Sequence, residues 1–322
     1  MRTPPVPTAM TVRKVLIALV LVALLGIAGI VGYAAWHYRV PGLALYWLAM
    51  QTQDARWKTD GLWLPHYRVT IEGRPIEGIE DDASGLTYSD HTGTLFAIIN
   101  KSPHTIVELD TEGRVLRKIR LHGLRDPEGI THVRDNVFAV ADERDQAVYR
   151  IEIHPDTTQI HVRDVPRITF PLGGRDNRGY EGLSWDSAGE RLFVSQEKDP
   201  LRVLVISGLP DLLDGTDFDL RIEEWTPDHA LHRRLIDLSS LTLHEPTGNL
   251  LLLSDESAVV VEYTPDGEAV SLLPLWPGFH GLTRRVPQAE GMAVGPDGTL
   301  YIVSEPNLFY RFERTVPATW AR

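Results

Sequence analysis

A short phrase recurs five times along the chain and restricts the fold more than any other feature. It reads Ala83-Ser84-Gly85-Leu86, Pro127-Glu128-Gly129-Ile130, Tyr180-Glu181-Gly182-Leu183, Ser239-Ser240-Leu241 and Ala289-Glu290-Gly291-Met292. After a turn, each copy is followed by an apolar run that ends on polar residues, at 95–101, 137–143, 192–197, 251–256 and 300–305. Equivalent phrases lie about 44 to 58 residues apart, a spacing in the range of propeller repeats. From about Leu64 onward short β-branched and aromatic runs alternate with Asp, Gly, Pro and Asn turns, the pattern of an all-β chain.

The first unit reads as strands at 85–89, 94–100, 105–110 and 114–121 with turns between them, and four antiparallel strands per repeat make a propeller blade. The widest gaps between repeats exceed the shortest by only about 9 and 14 residues. That is too little for another blade at roughly 5 to 6 residues per strand. The spacing therefore predicts five four-stranded blades, with six as the alternative count. The last repeat runs out of chain before a fourth strand, and Tyr67-Arg68-Val69-Thr70-Ile71 alternates as a strand would. It is expected to complete that blade and remove the free edge. The stretch 209–232, carrying Asp211, Asp214, Asp217 and Asp219, reads as an inserted, solvated loop without the spacing of a calcium-binding EF-hand.

Ahead of the repeats, residues 15–36 contain no charge and follow Arg13 and Lys14. About 20 helical residues cross the hydrocarbon core of a bilayer, so this segment is expected to be one transmembrane helix. It exceeds the roughly 7 to 15 apolar residues of a signal peptide and no clean cleavage site follows. With Arg2, Arg13 and Lys14 in front of it, the positive-inside rule puts residues 1–14 in the cytoplasm and the propeller, residues 64–322, outside. Residues 37–63, with Tyr46, Trp47, Trp57 and Trp63, read as a stem lying at the membrane interface.

Composition narrows the chemistry. The chain has 322 residues and a net charge of -12, from 44 acidic against 32 basic residues, and phosphate-backbone binding needs a basic stripe. No nucleic-acid partner is expected. The absence of cysteine removes disulfides, thiolate metal sites and cysteine nucleophiles.

In each repeat the recurrent phrase begins the innermost strand, and the second run ends the next strand, which returns antiparallel. Both ends meet at one face. That places Glu128, Glu143, Glu181, Glu197, Glu256, Glu290 and Glu305, with Ser84 and Ser239, around the mouth of one central channel. Crowded carboxylates raise one another's pKa unless cations intervene. Hard oxygen ligands favour Ca²⁺, with Mg²⁺ as the alternative. The competing reading is architectural: the glutamates accept hydrogen bonds from neighbouring backbone amides and hold blades together. Lys101, Arg144 and Lys198 lie in the same loops, available to neutralise carboxylates or meet an anion. No G-x-S-x-G elbow, H-E-x-x-H helix or P-loop occurs; His244-Glu245-Pro246 lacks the second histidine. Trp185 and Phe193 fit blade packing.

Gly78-Ile79-Glu80-Asp81-Asp82-Ala83-Ser84-Gly85-Leu86, Ala141-Asp142-Glu143-Arg144-Asp145, Tyr180-Glu181-Gly182-Leu183, Ala289-Glu290-Gly291 and the closing stretch 303–312 resemble the SdiA-regulated family of bacterial membrane-anchored propellers. The resemblance runs from about Leu64 to Phe312. It implies an NHL-like propeller in the periplasm, held at the inner membrane, and no established reaction. Two functions stay open. One is a tethered propeller that binds a ligand or envelope protein, with the ion for structure. The other is a metal-dependent hydrolase, by analogy with propeller phosphoesterases and lactonases.

Overall fold

The computed structural model describes residues 9–37, 40–51, 57–169, 179–198, 200–209, 220–227, 235–317 and 320. Three helices, α1 (Ala9–His37), α2 (Val40–Gln51) and α3 (Trp57–Asp60), precede β1 (Tyr67–Pro75). Blade one comprises β2 (Ala83–Ser89), β3 (Thr94–Ile99), β4 (Thr105–Leu109) and β5 (Val115–His122). Blade two has β6 (Pro127–Arg134), β7 (Val137–Asp142) and β8 (Ala147–Glu152); β9 (Gln159–His161) leaves the blade and β10 (Arg167–Thr169) returns to it. Blade three is β11 (Tyr180–Asp186), β12 (Arg191–Gln196), β13 (Arg202–Ser207) and β14 (Arg221–Trp225). Blade four is β15 (Ser240–His244), β16 (Asn249–Ser254), β17 (Val259–Tyr263) and β18 (Ala269–Pro274). Blade five is β19 (Ala289–Val294), β20 (Leu300–Ser304) and β21 (Leu308–Arg314), completed by β1.

The protein is a five-bladed β-propeller, and its ring closes as the sequence predicts. Antiparallel pairing runs from Tyr67 opposite Arg314 to Pro75 opposite Leu308, and the buried Tyr67 hydroxyl donates to the Gly298 carbonyl at 2.7 Å.

Hydrophobic patterning follows position within a blade. Second strands are apolar on both faces, since each lies between two neighbouring blades: β16 is Asn-Leu-Leu-Leu-Leu-Ser and buried throughout. The outer β5 alternates exposed and covered residues instead. Five apolar clusters fill the five blade-to-blade interfaces; Phe96 and Phe138 meet between blades one and two at 4.7 Å. Trp185 and Phe193 lie in these cores.

The glycine of the recurrent phrase has a steric origin. A Cβ on Gly129 would sit 2.6 Å from the Glu181 carbonyl oxygen, and one on Gly182 2.6 Å from the Leu241 nitrogen. Adjacent inner strands approach too closely there for a side chain. Blade four carries Ser240 at this place, and its hydroxyl accepts the Met292 amide of blade five at 3.2 Å. Thr87, Thr131 and Ser184 accept His132, Trp185 and Leu243 amides in the same way, at 3.1, 3.0 and 2.9 Å. Inner-strand hydroxyls therefore stitch consecutive blades.

Three features depart from expectation or lie beyond it. The parallel strand β9 pairs with β5 and gives blade one a fifth strand, which no periodicity announced. The fourth strand of blade three, β14, falls inside the expected loop 209–232, while Asp211, Asp214, Asp217 and Asp219 lie outside the described residues. Trp63, expected in a stem at the membrane interface, is covered by the propeller instead. It is 5% exposed and packs into the interface between blades three and four, as does Met50, with Trp57 against them.

A fully buried carboxylate holds this segment. Glu262 on β17 accepts the Leu62 and Trp63 amides at 2.7 and 3.0 Å, the Asn249 side-chain amide at 2.7 Å and the Ser271 hydroxyl at 2.5 Å. The Leu64 amide donates to Ser271 Oγ at 2.9 Å. Ahead of this clamp, α1 is long and apolar enough to cross a membrane from Arg13 to His37 with mean hydropathy 3.0, and none of that span is covered by the propeller.

Candidate functional site

Innermost strands begin, and second strands end, at the same end of the ring, where a cavity of about 260 Å³ opens. All seven predicted glutamates line it, with Ser84 and Ser239. Asp82, Asp237 and Asp255 line it too and were not predicted. They bring the wall to seven glutamates and three aspartates.

Strand register explains the omissions. Each second strand ends beside the residue two places before the phrase's Glu or Ser: the amides of Asn100, Glu143, Glu197 and Glu305 donate to the carbonyls of Asp82, Asp126, Gly179 and Gln288. Blades one, two, three and five carry a register shift at the phrase, between Ala83 and Leu86 in blade one. Blade four pairs without one, Ser240 opposite Leu253. The equivalents of Glu143 are therefore Asn100 in blade one and Asp255 in blade four, each one residue before the expected Lys101 and Glu256. The legible signal was an aspartate two places before the phrase at Asp82, Asp126 and Asp237.

Expected cations divide accordingly. Lys198 bridges Glu256 at 2.6 Å and Glu197 at 2.8 Å; burial opposes its charge, yet the two carboxylates hold the ammonium above its usual range. Lys101 turns outward to Asp81 at 3.5 Å, and Arg144 reaches Asp126 at 3.3 Å. Of the ten lining carboxylates, Glu197 and Glu256 pair with Lys198 and Asp255 lies 3.8 Å from Arg285.

Hydrogen bonding separates architectural from unsatisfied carboxylates. Glu143 accepts the Gly179 amide of the next blade at 2.8 Å, and Asp255 accepts the Ala289 amide at 3.2 Å. Asp142, fully buried, accepts the Arg125, Asp126 and Asp145 amides at 2.6, 3.1 and 2.9 Å and so positions Asp126. Asp237 accepts the Ser254 hydroxyl and the Glu256 amide. For these residues the architectural reading holds. Glu128 accepts Asn100 Nδ2 at 2.6 Å. Glu181 and Glu290 have no hydrogen-bond donor among the described residues.

Proton affinities follow. Burial, then the charge of neighbouring carboxylates, pushes Glu290 up to about 9. Glu128 rises to about 8, against the pull of a Ser84 hydrogen bond. Burial also raises Asp237 to about 6 and Glu181 well above the carboxylate range. Glu143, Asp255 and Glu305 shift the same way. For Glu128, Glu181 and Glu290, the most strongly raised, a bound cation would favour the ionised form. Asp126, Glu128 and Glu143 bring one oxygen each within 4.8 Å of one another and form a cluster able to hold a metal ion. Among the described residues no histidine lines the cavity, and the Ser239 hydroxyl is committed to the Ala289 carbonyl at 2.7 Å.

Among solved structures, the chain is similar to a luciferin-regenerating enzyme, at 12% identity and TM-score 0.49 over 78% of this chain and 97% of that one. It is also similar to the calcium-binding protein regucalcin from Agrobacterium tumefaciens, at 12% identity and TM-score 0.47 over 77% and 95%. A streptogramin B lyase matches at 11% identity and TM-score 0.43 over 77% and 98%. The SdiA-regulated family profile matches residues 59–313, so the chain belongs to the SdiA-regulated family.

Proposed function

We propose that this protein is a membrane-tethered propeller, outside the cytoplasm, whose acidic channel mouth binds a divalent cation and presents it to a ligand or envelope protein. The observation that carries the reading is the pair Glu181 and Glu290, carboxylates that have no hydrogen-bond donor among the described residues, in a wall that holds ten carboxylates. Carboxylate and hydroxyl oxygens suit Ca²⁺, which takes about 6 to 8 oxygen ligands, with Mg²⁺ as the alternative. Asp126, Glu128 and Glu143 supply one wall of ligands and Glu181 the next. The apolar helix α1, behind Arg13 and Lys14, supports the tether.

The test is elemental analysis and calcium titration calorimetry on the purified protein, with EDTA-treated protein as reference. Stoichiometric Ca²⁺ or Mg²⁺, lost on Glu181→Gln, supports the reading. A metal-free protein whose calorimetry is flat for both ions overturns it.

A further inference from the structure

The acidic mouth has an opposite end, and the chain enters the fold there. The Glu262 clamp engages Asn249 at the start of β16, and Tyr67 and Arg314 are the paired first and last residues of the closing strands; both places lie at the end of the ring away from the mouth. In a chain of net charge -12, this spot gathers Lys58, Arg68, Arg314 and His66. The three cations surround His66, whose imidazole is kept neutral first by burial and then by their charges. Lys58 Nζ lies 5.5 Å over the Trp63 ring, and the Arg314 guanidinium 5.8 Å over Trp320.

Their bonds leave charge uncompensated. Arg68 donates to the Tyr67 and Pro65 carbonyls at 2.8 and 3.4 Å, and Arg314 to the Lys58 carbonyl at 3.5 Å. None of the three pairs with a carboxylate among the described residues. Asp60 is engaged by the Thr59 hydroxyl at 3.0 Å, and the nearby Glu262 is saturated by its four donors. His66 Nδ1 and Arg314 Nε and Nη1 are buried without a partner. Just upstream, α2 is Val-Pro-Gly-Leu-Ala-Leu-Tyr-Trp-Leu-Ala-Met-Gln, uncharged, with Trp47 and Leu48 47% and 56% exposed.

We infer that the exposed Lys58 and Arg68, with the charge of Arg314 behind them, form a site for the phosphate of anionic phospholipids in the bilayer that α1 enters. Basic side chains beside an anionic leaflet attract it within a Debye length, the exposed Arg68 guanidinium fork matches phosphate oxygens, and the exposed Trp47 of α2 is a residue type that favours the headgroup level. Binding there seats this end of the ring on the membrane and turns the acidic mouth toward the aqueous side. The inference rests on α1 being an anchor.

The cysteine-free chain allows the test on full-length protein in vesicles. A single fluorophore is placed by Asp266→Cys, in the turn between β17 and β18 on the basic side, or by Glu80→Cys, before β2 on the mouth side. Quenching by a headgroup-labelled lipid is then read in phosphatidylcholine alone and with added phosphatidylglycerol. The expected result is stronger quenching at Asp266→Cys than at Glu80→Cys with phosphatidylglycerol. The difference should be lost in phosphatidylcholine and in Lys58→Glu/Arg68→Glu, two exposed positions. Indifference to lipid charge, stronger quenching at Glu80→Cys, or abolition by millimolar inorganic phosphate would each overturn the lipid site. Release of the protein by alkaline carbonate would instead sink the anchor.

Discussion

Replacing Glu290 by Gln should make the metal-free protein more stable, not less. Burial and the neighbouring carboxylates raise this carboxyl from the ordinary 4.5 to about 9. The sign follows from linkage: the folded state binds the proton more tightly than the unfolded chain, so the associated stability is fully present below pH 4.5 and disappears as pH rises through about 9. At pH 8, about 1.36 kcal/mol for each pH unit above 4.5 gives an upper bound of about 5 kcal/mol. Glutamine has the shape of the protonated acid and does not pay this penalty. Because Glu290 accepts no hydrogen bond from the described residues, its loss strands no donor. Differential scanning calorimetry in EDTA should show Glu290→Gln melting higher than wild type at pH 8, by up to roughly 10 °C for a domain of this size, and equal to it near pH 4.5. Saturating calcium should narrow the gap, adding about 2.7 kcal/mol to wild type at 100 times its dissociation constant and less to the variant. A variant that melts lower than wild type in EDTA at pH 8, beside a wild type indifferent to calcium, would refute the cavity reasoning and leave the glutamates as architecture.

Two further outcomes test the frame around the cavity. Gly182→Ala forces a Cβ to 2.6 Å from the Leu241 nitrogen and should destabilise the ring by roughly 3 kcal/mol or more, read by urea denaturation, whereas Gly93→Ala, with room for a Cβ but φ 70°, should lose only the roughly 1 to 2 kcal/mol of a left-handed alanine. Glu262→Leu strands the Leu62, Trp63 and Asn249 donors and should lower stability by several kcal/mol at about 1 to 3 per orphaned group; limited proteolysis should then cut first within residues 52–66.

The ring was legible because its repeat is steric. Close approach of inner strands demands glycine, burial on both faces demands unbroken apolar second strands, and both leave marks at fixed spacing. Closure by Tyr67-Ile71 was legible because a blade short of one strand must find it elsewhere. What escaped detection depends on register and long-range contact. In blades one and four the strand-end position falls one residue earlier than read, at Asn100 and Asp255 rather than Lys101 and Glu256, because it is set by pairing with the inner strand, which no local pattern signals. Glu262 looks like any strand glutamate until Leu62, some 200 positions away, folds onto it. Trp63 suggested the membrane interface by residue type, but its burial is decided by blade four. Strand β9 has only three residues, too short for periodicity.

The clamp at Glu262 has a mechanical consequence. The segment that leads from α3 into the propeller continues directly into β1, the strand that shuts the ring, so a pull on that segment would otherwise peel the strand from β21. Leu62, Trp63 and Leu64 are fastened to Glu262 and Ser271 of blade four before Tyr67 is reached. Load arriving along this segment from the N-terminal side therefore enters blade four, and the seam of the ring sits slack behind it.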